Sequence, residues 1–341
     1  MIGCPYTSSS QMDELKDNVE HAIQQVEELL PAEAIERFRL ILNSEDYLAT
    51  LRSFSQPKPV VFRVNTLRST IEEVLEEIES AGLVVSSIPW CPLGYKLESG
   101  TIRDLQALRC AKDGWIYIQA ASSMAAAHAM QLKEGMSVLD MCAAPGSKTS
   151  QLAAALNNTG IMVANDRSKK RLYRLREILQ WQNVINVEVL CGSGERLGKS
   201  HADCFDRVLV DVPCSGEGRF RLDRPIRIEK WNVQAIRRLA KLQEQLLIAA
   251  LRCVKVGGKV VYSTCTFAPE ENECVLDRVL TRHSIAAKVL PFPKELVPTS
   301  SRTSLTEWKG KKFVHDLSGA IRIVPDKNTT GFFVAVLERE H

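Results

Sequence analysis

Two cysteines stand where a thiol could do chemistry. Cys214 lies in Asp211-Val-Pro-Cys-Ser-Gly-Glu-Gly218, directly after the run RVLVDV, and Cys265 lies in Ser263-Thr-Cys-Thr266, after KVVY. Both runs are β-branched and read as strands, which puts both thiols at strand carboxyl ends. A single cysteine in such a place is ordinarily an inert buried side chain. Two of them on the rim of one cleft, one beside Asp211, point to a thiolate nucleophile. The chain holds ten cysteines in all and no C-x-x-C pair. A zinc site or any other metal centre is therefore not expected, nor is a disulfide framework in a chain of this size, and most of the ten read as buried filler.

A third segment has the composition of a ligand loop. Asp140-Met-Cys-Ala-Ala-Pro-Gly-Ser-Lys-Thr149 follows the strand SVLDM and opens the helix KTSQLAAAL. Small residues there let backbone amides approach a ligand at a helix N-terminus. A P-loop is the obvious competitor, but its lysine follows a glycine, whereas Ser147 precedes Lys148 and Cys142 stands where the first glycine belongs. The G-x-G-x-x-G dinucleotide pattern is absent too. Asp166 ends the next strand, where a carboxylate can take both hydroxyls of a ribose. Taken alone it reads equally as the cap of the helix SKKRLYRLREILQWQ; together with the preceding loop, ribose binding is favoured.

These segments need a scaffold that presents strand ends side by side. From Gln119 onward strands and helices alternate: SVLDM, KTSQLAAAL, IMVAN, SKKRLYRLREILQWQ, INVEVL, RVLVDV, QAIRRLAKLQEQLLIAALRCV, GGKVVYST and PEENECVLDRVL, closed by AIRIV paired with GFFVAVL as an antiparallel hairpin. That alternation predicts an α/β fold, a doubly wound, mostly parallel sheet whose ligand lies beyond the carboxyl ends of its strands. Residues 57–118 differ: the strand VVFRVN, the helix IEEVLEEIESAG capped by Ser69 or Thr70 and ended by Gly82, the strand LVVSSIPW, and short strands near Tyr95–Leu97 and Trp115–Ile118 predict a small α+β domain. Residues 1–56 read as a helical segment, with DELKDNVEHAIQQVEELL at helical spacing and Pro31 opening PAEAIERFRLILNS. The three expected units are thus 1–56, 57–118 and 119–341.

Bulk properties narrow the class. The chain has 341 residues, 45% hydrophobic and 25% charged, with no apolar run near the roughly 20 residues that span a bilayer. The opening MIGCPYTSSSQMDELKDNVE lacks a charged region followed by an apolar one, so no secretory signal is expected. A cytoplasmic protein with no membrane partner follows, a bacterial cytosol fitting best and a eukaryotic organelle also being compatible. A net charge of +3 permits nucleic acid without demanding it.

DMCAAPGSKT, DVPCSGEG and STCT, in this order, resemble the Fmu/Sun family of RNA cytosine carbon-5 methyltransferases. The resemblance runs from FRVNTL through YIQAASS and PEENE to GFFVAVLE, about residues 59–337. It implies a Rossmann-type class I methyltransferase sheet behind a small RNA-recognition-like domain, S-adenosyl-L-methionine as cofactor, RNA as partner and a monomeric enzyme. By position, the loop Cys142, Ala143, Ala144, Pro145, Gly146, Ser147 and Lys148 would hold the methionine and ribose side of the cofactor, Asp166 would bind the ribose, and Arg171 belongs to the same motif. Asp211 would border both cofactor and target base, Cys265 would be the nucleophile, and Cys214 would help release the product. DNA cytosine methyltransferases take their nucleophile from a Pro-Cys motif, so the second cysteine favours RNA. Ser193 in CGSGER departs from the family, where many members carry an Asp that contacts the adenine.

The chemistry accounts for these residue types. Carbon 5 of cytosine is a poor nucleophile until a thiolate adds to carbon 6, and a base must later remove the carbon-5 proton so that the thiolate can leave. Asp211 would hold the base through its N3/N4 edge. Lys148 reads equally as a catalytic charge and as a plain helix-start lysine. Arg219, Arg221, Arg224 and Arg227 form a basic loop beside the catalytic motif, interrupted by Pro225, and are expected to contact phosphate. The basic residues from Arg237 to Lys241 and those of SKKRLYRLR read instead as solvated helix faces. Ribosomal RNA is favoured over transfer RNA as substrate, and no appended RNA-binding domain is expected beyond Glu338. The rival readings are a ribosome-assembly factor that needs no catalysis and a DNA methyltransferase.

Overall fold

The computed structural model describes residues 23–282, 286–326 and 329–341. In the smaller of its two main sheets, β1 (Val61–Val64), β2 (Val85–Ser87), β3 (Gly94–Leu97) and β4 (Ile116–Ile118) run antiparallel in the order β2-β3-β1-β4. The helix Ile71–Ser80 covers one face through Val74 and Ile78, which pack on Phe62 and Val64. It starts at a reciprocal cap: Glu73 N–H donates to Thr70 Oγ1 at 3.3 Å and Thr70 N–H to the Glu73 carboxylate at 3.0 Å.

The larger sheet has a parallel core, β5 (Ser137–Asp140), β6 (Ile161–Asp166), β7 (Val187–Cys191), β8 (Phe205–Asp211) and β9 (Val254–Thr264), in the order β7-β6-β5-β8-β9. β10 (Ala287–Leu290), β11 (Ser301–Thr303), a ribbon of β12 (Glu307–Trp308) and β13 (Lys311–Lys312), β14 (Ile321–Ile323) and β15 (Phe332–Arg339) follow. β15 lies antiparallel on β9, β14 pairs β15 as the hairpin expected from the sequence, and β11 and β10 complete the sheet. Alternation along β8 sends Val208 and Val210 to the face covered by the helix Val233–Cys253 and Leu209 to the face covered by the helices Ala121–His128 and Ser147–Ala155. Chain order reverses around β5, with β6 on one side and β8 on the other, so a crevice opens at its carboxyl end.

Residues 23–29 are helical, followed by helices Ala32–Ile41 and Ser44–Ser55. The part of the expected first helix before residue 23 lies outside the described residues. Pro31 stands just ahead of its helix rather than inside the first turn, and the stretch read as one helix is cut at Leu42, after which Asn43 caps the next by accepting Asp46 N–H at 2.8 Å. These helices pack Phe38 and Phe54 on Phe220 and Phe267 of the larger sheet's loops. Two other expectations shift, and one helix was not expected. LVVSSIPW keeps only Val85–Ser87 as a strand. PEENECVLDRVL is helical only from Glu273, because the preceding Glu271 and Asn272 turn inward to bond the loops described below. The helix Ala121–His128 was invisible as a period, because alanine and other small residues are buried on nearly every side of it.

Candidate active site

The carboxyl ends of β5, β6, β8 and β9 open onto a cleft of about 890 Å³. Its lining includes Cys142, Ala144, Pro145, Ser147, Lys148, Asp166 and Arg171 from the first two strand ends, Asp211 and Cys214 after β8, and Cys265 after β9. Arg219, Arg221, Arg224 and Arg227 line it as well. Residues separated by more than 120 positions in the sequence therefore meet at one place.

Gly146 makes the glycine loop possible. It adopts φ 114° at the N-terminus of the helix Ser147–Ala155, and a Cβ there would come within 2.8 Å of Leu175. Ala143 lies just behind the lining, its N–H donating to Asn165 O at 2.8 Å. The Asp166 carboxylate accepts Ala144 N–H at 3.3 Å and Ser168 N–H at 2.9 Å, and it pairs with Arg171 at 3.1 Å. Arg171 also donates to Ala144 O. The cap of the helix Lys169–Trp181 is Ser168, not Asp166. Asn165 braces three strand ends, its Nδ2 donating at 3.1 Å to both Met141 O and Gly192 O. Ser193 points elsewhere, to the Glu195 carboxylate, and Glu195 lines the cleft.

Lys148 is buried and donates to Asp211 Oδ2 at 2.8 Å, with its ammonium 5.5 Å from the centre of the Phe332 ring. Lys148 thus stands in the first turn of the helix Ser147–Ala155 and also lines the cleft. The other Asp211 oxygen accepts from Ser263 Oγ at 2.8 Å. The two acceptor oxygens are thus held in a fixed plane at the cleft.

The sulfurs of Cys214 and Cys265 lie 3.2 Å apart, and Cys265 N–H donates to Cys214 Sγ at 3.3 Å. The hydrogen bond from Cys214 lowers the Cys265 thiol from its ordinary 9.0 to about 7, and the charges of Arg219 and Lys148 add to this against burial. Cys214 moves the other way, well above its ordinary range, first through its bond to Cys265 and then through burial. One thiol is thus prepared to ionise and its neighbour to stay protonated. Cys142, by contrast, is raised by burial and by the surrounding carboxylates, which makes it a poor nucleophile.

A buried frame fixes the two cysteine-bearing turns. Ser215 Oγ and Thr266 Oγ1 share a hydrogen bond of 2.7 Å, and Thr266 Oγ1 donates to Glu217 Oε2 at 2.8 Å. Glu217 also accepts Phe267 N–H at 3.0 Å and Trp231 Nε1 at 2.8 Å. Glu271 accepts Ser215 N–H at 3.0 Å and Gln243 Nε2 at 2.7 Å, and Gln243 donates to Pro213 O at 2.9 Å as well. Asn272 links Thr264 and Thr266. No role was assigned to any of these residues from sequence. PEENE was visible as a segment, but Gln243 gave no local signal. The cleft wall supplied by Lys58, Tyr117 and Gln119 was likewise missed, although YIQAASS marked its position.

Comparison with known proteins gives a consistent result. Residues 127–338 match the family described as 16S rRNA methyltransferase RsmB/F, and residues 31–102 match the ferredoxin-like domain described for RsmF/B-like methyltransferases. The chain is 36% identical over 321 residues to ribosomal RNA small subunit methyltransferase F of Vibrio campbellii, covering 93% of this chain and 62% of that protein. It is 31% identical over 329 residues to the protein of the same name from Aeromonas salmonicida, covering 94% of this chain and 64% of that one. The chain therefore spans somewhat less than two thirds of the length of these curated relatives. Among solved structures, a methyltransferase homolog protein from Pyrococcus horikoshii aligns over 94% of this chain and 99% of its own, with a TM-score of 0.79 at 30% identity. The fold is also that of NSun6 from Pyrococcus horikoshii, solved with SFG, at a TM-score of 0.74 and 21% identity over 92% of this chain and all of that one.

Proposed function

The chain belongs to the 16S rRNA methyltransferase RsmB/F family, and from that membership we propose that it transfers a methyl group from S-adenosyl-L-methionine to carbon 5 of a cytosine in RNA through a covalent bond to Cys265. Small-subunit ribosomal RNA is the favoured substrate, in keeping with the names of the relatives. The observation that carries this reading is the thiol pair: a cysteine lowered to about 7 beside one held protonated, in the same cleft as the glycine loop and the Lys148–Asp211 pair.

The residues present suit the cofactor. The cleft volume falls in the range of small-molecule sites. A helix N-terminus behind Gly146, where a Cβ would meet Leu175, offers amide donors, and Asp166 offers a carboxylate for a ribose. S-adenosyl-L-methionine supplies an electrophilic methyl on a sulfonium when bound. Residues 142–148, Asp166 and Arg171 would hold it.

The protein's own groups carry the remaining steps. Cys265 adds as thiolate to carbon 6, which moves an electron pair toward carbon 5 and makes that carbon nucleophilic. Asp211, steadied by Lys148 and Ser263, lies at the base edge and stabilises charge as the adduct forms. After methylation the carbon-5 proton must go to a base, and the electron pair it leaves expels Cys265. Cys214, in contact with Cys265, assists this elimination. The arginines of 219–227 meet the phosphates of the flanking strand; this segment, expected as a loop, carries a 3-10 turn at Glu217–Arg219 and a short helix at Ile226–Glu229. An RNA substrate implies a cytoplasmic or organellar location.

The test is methyl transfer from labelled cofactor to unmodified 16S rRNA, followed by nucleoside analysis. The reading expects 5-methylcytidine from RNA, none from matched DNA, and none from Cys265→Ala. RNA binding without any methyl transfer would instead favour an assembly factor.

A further inference from the structure

The exposed face of the helix Lys169–Trp181 is a second basic surface. From Arg167 to Glu177 the chain carries six basic side chains and one acid, more positive charge than the +3 of the whole protein. The helix buries Leu172, Leu175, Ile178 and Leu179 and turns its basic residues to solvent. Solvated helix faces commonly pair such charges with acids four residues away. Here Glu177 pairs with Arg174 and Asp166 with Arg171, while Arg167, Lys169, Lys170 and Arg176 have no partner among the described residues. Tyr173 projects among them, 61% exposed.

Placement gives this charge a direction. Arg167 and Arg171 line the cleft at the end of β6, and the arginine loop lines it after β8. Since β5 lies between those strands, basic groups stand on both sides of the 142–148 loop that follows β5. The far end of the helix meets the small sheet, where exposed Arg68 donates to Gln180 O at 3.3 Å and Trp181 Nε1 donates to Lys112 O at 2.9 Å. At about 1.5 Å per residue the helix runs roughly 20 Å from Arg167 to Gln180. A nucleic-acid strand rising about 3.4 Å per nucleotide would pass roughly six nucleotides over that length.

We propose that this face, from Arg167 across Lys169, Lys170 and Arg176 to Arg68 of the small domain, is a track for the RNA backbone that flanks the target base. The proposal rests on the RNA-methyltransferase reading and adds the path of the strand to it. Phosphates fit the unpaired cations, and Tyr173 offers a ring on which an unstacked base can lie. The track supplies affinity and register, and it touches neither the cofactor loop nor the thiols.

The experiment uses the full chain with Lys169→Glu, Lys170→Glu and Arg176→Glu combined. Binding to in vitro transcribed 16S rRNA is measured across a salt series, with methyl-transfer kinetics and calorimetry of S-adenosylhomocysteine alongside. Affinity for the rRNA should fall at least tenfold at low salt, and the slope of log affinity against log salt should flatten by about 2. KM for RNA should rise with kcat and S-adenosylhomocysteine affinity unchanged, and the charge-keeping variant Lys169→Arg/Lys170→Arg/Arg176→Lys should bind as the parent does. An unaltered slope and KM would make the face a solvated one and overturn the proposal. So would loss of S-adenosylhomocysteine affinity, or loss of binding to anionic phospholipid vesicles with RNA binding intact. Failure of the underlying reading looks different: the parent protein itself would then methylate no RNA.

Discussion

Cys214 and Cys265 share a hydrogen bond across 3.2 Å, and that bond divides their acidity. A donor held on Cys265 stabilises its thiolate, while Cys214 keeps its proton in a buried place. Alkylation of Cys265 by iodoacetamide should therefore have its pH midpoint near 7 and slow about tenfold per unit below it, because only the thiolate reacts. Cys214→Ala removes the largest cause of the shift and should move the midpoint upward, toward the ordinary thiol value. Mass spectrometry of the alkylated peptides reads both numbers. A midpoint near 9 in the parent protein would mean that the bond from Cys214 does not activate Cys265.

The two cysteines should also fail differently in the reaction. Cys214→Ala should form the adduct and transfer the methyl, yet stall at elimination, giving a slow protein–RNA band on a denaturing gel. Because the same substitution makes Cys265 less acidic, the band should strengthen as pH rises from 7 to 9. Adding Cys265→Ala should abolish it. Trapping in Cys265→Ala alone would reverse the two roles.

Asp166 holds the loop as well as facing the cleft, so its removal has two readouts. Asp166→Ala leaves Ala144 N–H and Ser168 N–H without their acceptor and should cost about 1–3 kcal/mol of stability. Affinity for S-adenosylhomocysteine should fall by more than tenfold while RNA binding holds. Calorimetry showing the stability loss with unchanged affinity would leave Asp166 only its bracing role.

Arg63 couples the small sheet to the glycine loop. Its buried guanidinium, lowered to about 10 by desolvation, donates at 2.8 Å to Ser150 Oγ, and Ser150 donates at 2.9 Å to Gly146 O. It also reaches Gln119 and Gln182 at 3.3 and 3.4 Å and lies 5.2 Å from the Tyr117 ring centre. Arg63→Met should weaken S-adenosylhomocysteine binding severalfold although no cofactor contact is assigned to it. A melting curve and calorimetry together check this; a lower melting temperature with full affinity would confine Arg63 to packing.

Within the arginine loop, Arg221 is engaged by Asp223, whereas Arg219, Arg224 and Arg227 carry no ion-pair partner among the described residues. Arg224→Glu/Arg227→Glu should therefore flatten the salt dependence of RNA binding by about 1.5, and Arg221→Glu alone by clearly less. Filter binding across a salt series distinguishes the two. Equal effects would mean that the Asp223 pair opens on binding.

Part of this site is legible in the sequence, for a local reason. Asp166 and Asp211 end strands, and the loop 142–148, Cys214 and Cys265 follow strands within a few residues, so strand period and motif spacing suffice to bring them to one edge of one sheet. What escaped depends on contacts between distant segments. Gln243 sits inside a long amphipathic helix and looks like any polar residue there, yet it spans Pro213 and Glu271. The residues of PEENE have helical composition, but two of them are drawn inward by the cysteine turns and delay the helix start to Glu273. Lys58 comes from the segment just before β1 and Tyr117 from β4 of the smaller sheet, whose docking against the cleft no periodicity predicts.

The position of β15 has a bearing on how the molecule is made. Phe332 lies beneath Lys148, and Gly331 packs so closely on Gly218 and Phe267 that no side chain fits between them. The floor of the cleft is therefore finished by residues near 331, while its arginine loop is tied by Leu222 N–H to Phe54 O at 3.0 Å. During translation the strands β5 to β9 can pair as they leave the ribosome, but the cleft stays open at its base until β15 has slid in beside β9. A nascent chain arrested before that point would carry both cysteines and the whole 142–148 loop but not the floor of the cleft, so the proposed methyl transfer should begin only once β15 has been added rather than strand by strand.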